Sequence, residues 1–243
     1  MTLRGSAFLC LWNDFAPDRY GEYEDWHTLE HVPERVAAPG FLAGRRYGAP
    51  ARDDSRYMTL YDLDRLEALD TPQYLDLQQN PTDWSARMRP DFRNVLRIPF
   101  ERIASEGAGC AGNLAIFAVE TADMSDDAPR RVAEAVARRH AEGGMSAYHV
   151  GRALKVPEYG VFGLAAETRP DRQKIVVLQE TPTPEGAERA LQWCRAALPD
   201  HITPDRVLRA ETSRLLFAVG HEEVVTKWQR RAAPETAGLR SRG

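Results

Sequence analysis

The chain has 243 residues, 43% of them hydrophobic and 28% charged, with a formal net charge of −4 at pH 7. That hydrophobic share supports a real core and excludes global disorder, and the length suits one large domain or two of about 110 residues each. The small, dispersed charge leaves no basic stripe for nucleic acid, and no run approaches the ~18 apolar residues of a membrane span.

Met1-Thr2-Leu3-Arg4 leads into a short apolar run that reaches Trp12 and Asn13. The run is too short for a signal h-region and lacks a small-residue cleavage site, so no signal peptide is expected. Ala7 to Trp12 is apolar on both faces, as expected of a strand buried between layers. Asp14 and Asp18 are candidate caps for a helix from about Gly21 to Ala37, ended by Pro39-Gly40. Phe41 to Tyr47 predicts a second strand, 50–55 a turn, and Arg56 to Asp62 a third strand. Helical pieces broken at Pro72 and Pro81 follow over 65–88, and Asn94 to Ile103 predicts a fourth strand. The order is β-α-β-β-α-β.

Ser105 to Gly112 is small and Gly-rich, with the composition of a linker. The same order then begins again. Leu114 to Glu120 predicts a strand, Pro129 to His140 a helix with Asp126 or Asp127 near its start, and Gly143-Gly144 its stop. Met145 to Val156 and Lys174 to Glu180 predict two strands, Pro184 to Leu198 an amphipathic helix, and Arg206 to Val219 the last strand. Cys194 on that helix reads as core. The three cysteines, Cys10, Cys110 and Cys194, lie far apart without a CxxC, so reduced thiols in a cytoplasmic protein are expected.

The expected fold is therefore α+β: two tandem ferredoxin-like βαββαβ repeats over 1–108 and 109–220, followed by a C-terminal helix to about Ala232 and a loose tail over 221–243. Each such sheet has one face covered by its own helices and one bare. Packing bare face on bare face as an α/β barrel buries several hundred Å² of apolar surface at ~25 cal/mol per Å². A tandem chain can do this internally, and a homodimer stays open.

The densest chemical stretch is Tyr23 to Arg35. At ~100° per residue Trp26, Leu29, Pro33 and Val36 form one helical stripe, and Tyr23, His27, Glu30, His31, Glu34 and Arg35 the opposite face. Such a face is either solvated or a site; two of the chain's six histidines on it, beside a proline that should end or bend the helix, point to a site. On the third strand Tyr57, Thr59 and Tyr61 share a face expected to line the inter-sheet space, with Met58 and Leu60 toward the helices. Arg45 and Tyr47 share a face of the second strand with Arg46 opposite, and Arg97 could join Arg45 as an anion clamp. Trp12 and Asn13 end the first strand beside the histidine helix and could border the mouth.

Tyr23 through Tyr47, with its Trp-His-x-x-x-His-x-Pro core and Pro39-Gly40-Phe41, resembles the EthD-like group of the dimeric α/β-barrel superfamily. Arg56 to Asp62 resembles that group's third strand. The likeness covers about the first hundred residues; the second half lacks the histidine pair and follows by element order alone. It implies that His31 is the family's recurrent His-x-Pro histidine. The wider superfamily holds small-molecule monooxygenases, isomerases, cyclases and haem-degrading enzymes, many without a metal.

The first expectation is thus a cofactor-independent enzyme for a small aromatic or carbonyl-bearing molecule. His31 would carry the proton, assisted by His27, and Glu30 or Glu34 would fix a tautomer. Arg45 would stabilise a developing oxyanion, Arg35 would help bind the substrate, and Tyr57 and Tyr61 would shape the pocket. A binding protein without chemistry is the second. The third is a zinc hydrolase, since His27-Thr28-Leu29-Glu30-His31 spells H-x-x-E-H, with Glu101 or Glu106 as a further ligand. A haem-handling role is a further possibility, as imidazole ligates iron.

Overall fold

The computed structural model describes residues 2–49, 56–164, 169 and 171–225. Four strands come first: β1 Ala7–Phe15, β2 Phe41–Gly48, β3 Tyr57–Leu63 and β4 Phe92–Gly107. Four follow: β5 Asn113–Thr121, β6 Ala147–Ala153, β7 Gln173–Thr181 and β8 Arg206–Gly220. Their hydrogen-bonding order is β1-β3-β2-β8-β5-β7-β6-β4 in a closed antiparallel barrel, so the same 4-1-3-2 ferredoxin-like order occurs in both halves. The expected fold class stands.

The chain packs as two compact units, and β4 and β8 each contribute to both. The N-terminal unit holds Arg4–Ile98 with the described residues of Glu158–Ala165 and Leu216–Gly243. The C-terminal unit holds Pro99–Pro157 with the described residues of Met1–Leu3 and Ala166–Leu215.

In the N-terminal unit the helical elements are α1 Tyr20–Trp26, a π-turn His27–His31, α2 Val32–Val36, α3 Pro72–Gln79 and α4 Asp83–Met88. Val32 and Val36 of α2 pack with Leu9, Phe41, Tyr61 and Leu63 of the sheet and with Tyr74 and Leu77 of α3. A Cβ on Gly44 of β2 would sit 2.7 Å from Val36 and 2.8 Å from Val32, so the missing side chain lets α2 lie close on the sheet. Thr71 and Thr82 cap α3 and α4, each accepting from a backbone N–H three residues on.

The C-terminal unit sets α5 Asp127–Ala141 and α6 Pro184–Ala197 against β5, β6 and β7. Val132, Val136, Ala187, Leu191 and Cys194 meet Phe117, Val150 and Val177 there. Gly143 and Gly144 stop α5 with φ of 91° and 89°, open to glycine and strained for other residues.

Several expectations change. Ser105, Glu106 and Gly107 are not linker but the end of β4, paired with His149, Tyr148 and Ala147. Neither Asp14 nor Asp18 caps α1: Arg19 holds the N-cap position without a side-chain cap, and its guanidinium ties the helix start to Glu22 and Asp91. Asp14 instead accepts from the Asn94 amide. The final helix, α7, spans His221–Val224; its expected continuation to Ala232, the tail and the 50–55 turn lie outside the described residues.

Candidate functional site

Pro33 does not end the helix. It lacks an N–H, and its ring crowds the carbonyl four residues back, which belongs to Leu29. The chain answers with a wider turn immediately before it: Val32 N–H bonds to the His27 carbonyl, five residues away, and the helix resumes through Val36. The expected stripe changes accordingly. Trp26, Pro33 and Val36 are buried, but Leu29 is 58% exposed. The face expected to be polar is covered: Tyr23, His27, Glu30, Glu34 and Arg35 are all buried. This side of the helix is enclosed by α4, whose Met88 packs with Tyr23 and Trp26. There Trp26 Nε1 donates to Ser85 Oγ at 3.2 Å, Ser85 Oγ donates to Glu30 Oε1 at 3.0 Å, and Thr82 donates to the same oxygen.

Along this helix the rings of Tyr23, His27 and His31 form a column. Tyr23 and His27 stack at 4.9 Å and 16°, His27 and His31 at 5.0 Å and 15°, and Trp26 leans on His31 at 4.5 Å. Asn13 anchors the foot of the column, donating to the Tyr23 hydroxyl at 3.2 Å. Among the described residues neither imidazole has a hydrogen-bond partner, and each keeps a buried, unpartnered Nδ1. Burial first, then Arg46, His31 and Arg35, holds the His27 pKa well below the imidazole range. Burial first, then Arg35, Arg89 and Arg46, does the same for His31. Both rings are therefore neutral at pH 7 and able to accept a proton.

Guanidiniums surround the column. Arg46 lies over the Tyr23 ring at 5.5 Å and pairs with Glu24 at 2.9 Å and with Thr28. Arg35 donates to the Leu77 carbonyl at 3.2 Å, stands 3.6 Å from Glu34, and faces the Tyr74 ring. Arg89 reaches the same carbonyl at 3.4 Å. Arg97 sits 4.4 Å over the Tyr159 ring and donates to the Tyr74 hydroxyl at 3.5 Å. Burial pushes the Tyr61 hydroxyl up, and it pushes that of Tyr159 up to about 12, so both remain protonated donors. Phe92 and Phe162 lie 4.7 Å apart with their rings tilted by 31° and add apolar wall.

The sheet faces are the reverse of those expected. Tyr61 packs with Val32 and Val36, and the Tyr57 ring lies 4.6 Å from that of Tyr23 at a 46° tilt, so the tyrosine set faces the helices. Met58 and Leu60 take the other face. Strand alternation then decides the rest. Arg46 pairs across with Thr59 and shares the helix face, whereas Arg45 pairs with Leu60, and Trp12 and Tyr47 with Met58. Arg45 and Trp12 are thus corrected: they stand on the face turned from the histidine helix. The structure brings together His27, His31, Arg35, Asn13, Tyr57, Tyr61 and Arg97, and Glu30 anchors α4. It adds Arg46, Tyr74, Arg89 and Tyr159, which sequence reasoning missed. Arg46 follows once the face is reversed; Tyr159 gives no local signal, since it comes from a segment between β6 and β7.

The rings do not suit a shared metal. Stacked at 15°, their lone pairs lie in nearly parallel planes and do not converge on one ion. Glu101 pairs with Arg152 at 3.0 Å and Glu106 accepts from the Tyr148 hydroxyl at 3.2 Å. Among the described residues no three His, Cys, Asp or Glu side chains gather as a metal site.

No protein-family model and no curated protein matches the chain. Among solved structures, an anthrone oxidase-like protein is 11% identical with a TM-score of 0.65, over 91% of this chain and 96% of its own. A provisionally named chlorite dismutase is 12% identical with a TM-score of 0.52, over 96% of this chain and 99% of its own. The chain has their fold. Among the described residues no helix is long and apolar enough to cross a membrane.

Proposed function

We propose that the chain is an EthD-like enzyme, needing neither metal nor organic cofactor, whose N-terminal unit takes a small aromatic, carbonyl-bearing molecule between the histidine helix and the sheet. One observation carries this reading. His27 and His31 are neutral, stacked and without hydrogen-bond partners among the described residues, and four guanidiniums act on them electrostatically or stand beside the same aromatic wall. A neutral imidazole accepts a proton from an acidic C–H or O–H of the ligand; the enolate or phenolate left behind meets Arg35, Arg46 or Arg97. The aromatic column offers a flat ligand a stacking surface. A substrate of the anthrone kind suits these features, because its CH₂ lies between two aromatic rings that conjugate it to the carbonyl across the central ring, so that loss of a proton gives an aryloxide.

The test is hydrogen–deuterium exchange at that CH₂, followed by NMR with anthrone in D₂O under nitrogen. The protein is expected to accelerate exchange, and His31→Ala to remove about a hundredfold of that acceleration, the usual weight of a general base. Exchange no faster than in buffer sinks the catalytic reading. The low basicity of both imidazoles favours a second reading, a protein that holds such a ligand without reacting with it. That reading predicts saturable binding of anthrone with no exchange.

A further inference from the structure

The C-terminal unit holds a second group of residues that the first site does not use. Ser105 of β4 and His149 of β6 are direct cross-strand partners, so their side chains share one face. Glu180 of β7 lies two residues from Leu178, the partner of His149, and shares that face as well. Ser105 Oγ is 2.6 Å from His149 Nδ1, and His149 Nε2 is 3.1 Å from Glu180 Oε1. The other Glu180 oxygen accepts the Ala111 N–H at 2.7 Å. His149 and Glu180 are fully buried, while Ser105 is part-exposed.

The direction of these bonds follows from the donor inventory. A carboxylate only accepts, so Nε2 carries the ring proton and points it at Glu180. Nδ1 then holds the lone pair, and the Ser105 hydroxyl donates to it. A nucleophile, a base and a group orienting the base stand in one line, with the two ring nitrogens interchanged relative to the Ser-His-Asp triad. Burial of His149 and Glu180 keeps water from competing for the imidazole, and Ser105 is the part-exposed residue of the three.

We propose that Ser105 is an activated nucleophile for acyl transfer from small aryl esters, with His149 as its base and Glu180 as a positioning residue. Ser105 Oγ bonds to the ester carbonyl carbon as its proton passes to His149 Nδ1. The carbon–oxygen bond to the phenol breaks, the phenol leaves with that proton, and an acyl-serine remains. Water, deprotonated by the same nitrogen, releases the acid and restores the hydroxyl. Glu180 holds the ring and stabilises the imidazolium formed in between.

The full-length protein is treated with an alkyl fluorophosphonate, which Oγ attacks with loss of fluoride, and the adduct is followed by intact mass and peptide mapping. One adduct on Ser105 is expected, absent in Ser105→Ala and formed about a hundredfold more slowly in His149→Gln. In Glu180→Gln the labelling rate falls and its pH midpoint moves down, because the charge that favoured the imidazolium is gone. Folded protein that stays unlabelled, or is labelled elsewhere, or whose His149→Gln variant reacts at the unaltered rate, overturns the proposal and leaves a polar network that pins the β4–β6–β7 register. Should His149→Gln not fold, Ser105→Cys decides. Its new thiol should react with iodoacetamide at pH 6 about tenfold faster than the part-exposed Cys110, and equal rates overturn the proposal.

Discussion

Charging His27 or His31 means placing a cation among rings and guanidiniums with no carboxylate hydrogen-bonded to it, and the sign of the pH response follows. The unfolded chain takes up protons on these two residues below about pH 6.5, whereas the folded chain does so only at lower pH. Folding is therefore favoured above that value, and stability is lost as pH falls from it toward the depressed folded values. Each imidazole contributes a slope of up to ~1.4 kcal/mol per pH unit in that window. Urea denaturation between pH 7.5 and 5.5 is expected to give a steeper decline for the natural chain than for a His27→Gln, His31→Gln double variant; equal slopes would show that both rings charge freely when folded. Proton abstraction from the ligand should likewise stay level through pH 6.5, with its acid limb displaced below the value of an ordinary histidine.

At the scale of elements, the π-turn and the bare backbone of Gly44 together set where the histidine column stands. Gly44→Ala places a methyl 2.7 Å and 2.8 Å from two buried valine methyls, and α2 must lift from the sheet. Thermal or urea unfolding should register a loss of about 1–3 kcal/mol, the range for overpacked cores, and anthrone binding should weaken with it. Glu30 acts at the same scale. It accepts from both Thr82 and Ser85, and Ser85 accepts in turn from Trp26, so one carboxylate ties the helix to α4. Glu30→Ala is expected to cost about 2 kcal/mol, since buried donors lose their acceptor; a change below a few tenths of a kcal/mol would show that α4 holds without it.

For the molecule as a whole, chain order and spatial membership part company. Tyr159 and Phe162 lie between two strands of the second half, yet they belong to the N-terminal unit and meet Arg97 and Phe92. Tyr159→Ala removes a cation–π contact and one side of the ligand's surroundings. Anthrone affinity is expected to drop about tenfold, or 1.4 kcal/mol, alongside a lowered unfolding midpoint because a buried ring is lost. Isothermal titration of the full chain checks this, and unchanged affinity would take Tyr159 out of the site.

Element order was legible in the sequence because it rests on local quantities: alternation at a period of two, amphipathic helices, and stops at Pro39-Gly40 and Gly143-Gly144. The histidine pair was legible for the same reason, being one short stretch of unusual composition. Which face of β3 meets the helices was not. Tyr57, Thr59 and Tyr61 alternate with Met58 and Leu60 equally well in either orientation, and only the packing of Val32 and Val36 on Tyr61 chooses between them. That choice exchanges Arg45 for Arg46 at the site. The conversion of a polar helix face into a buried one was also hidden, since it depends on α4 supplying Thr82 and Ser85 from some fifty residues away. By itself the sequence determined the strands, the helices and where chemistry concentrates, all set by neighbours along the chain. Tertiary structure alone decided which side chains face one another, because burial and hydrogen bonding are settled by residues remote in sequence.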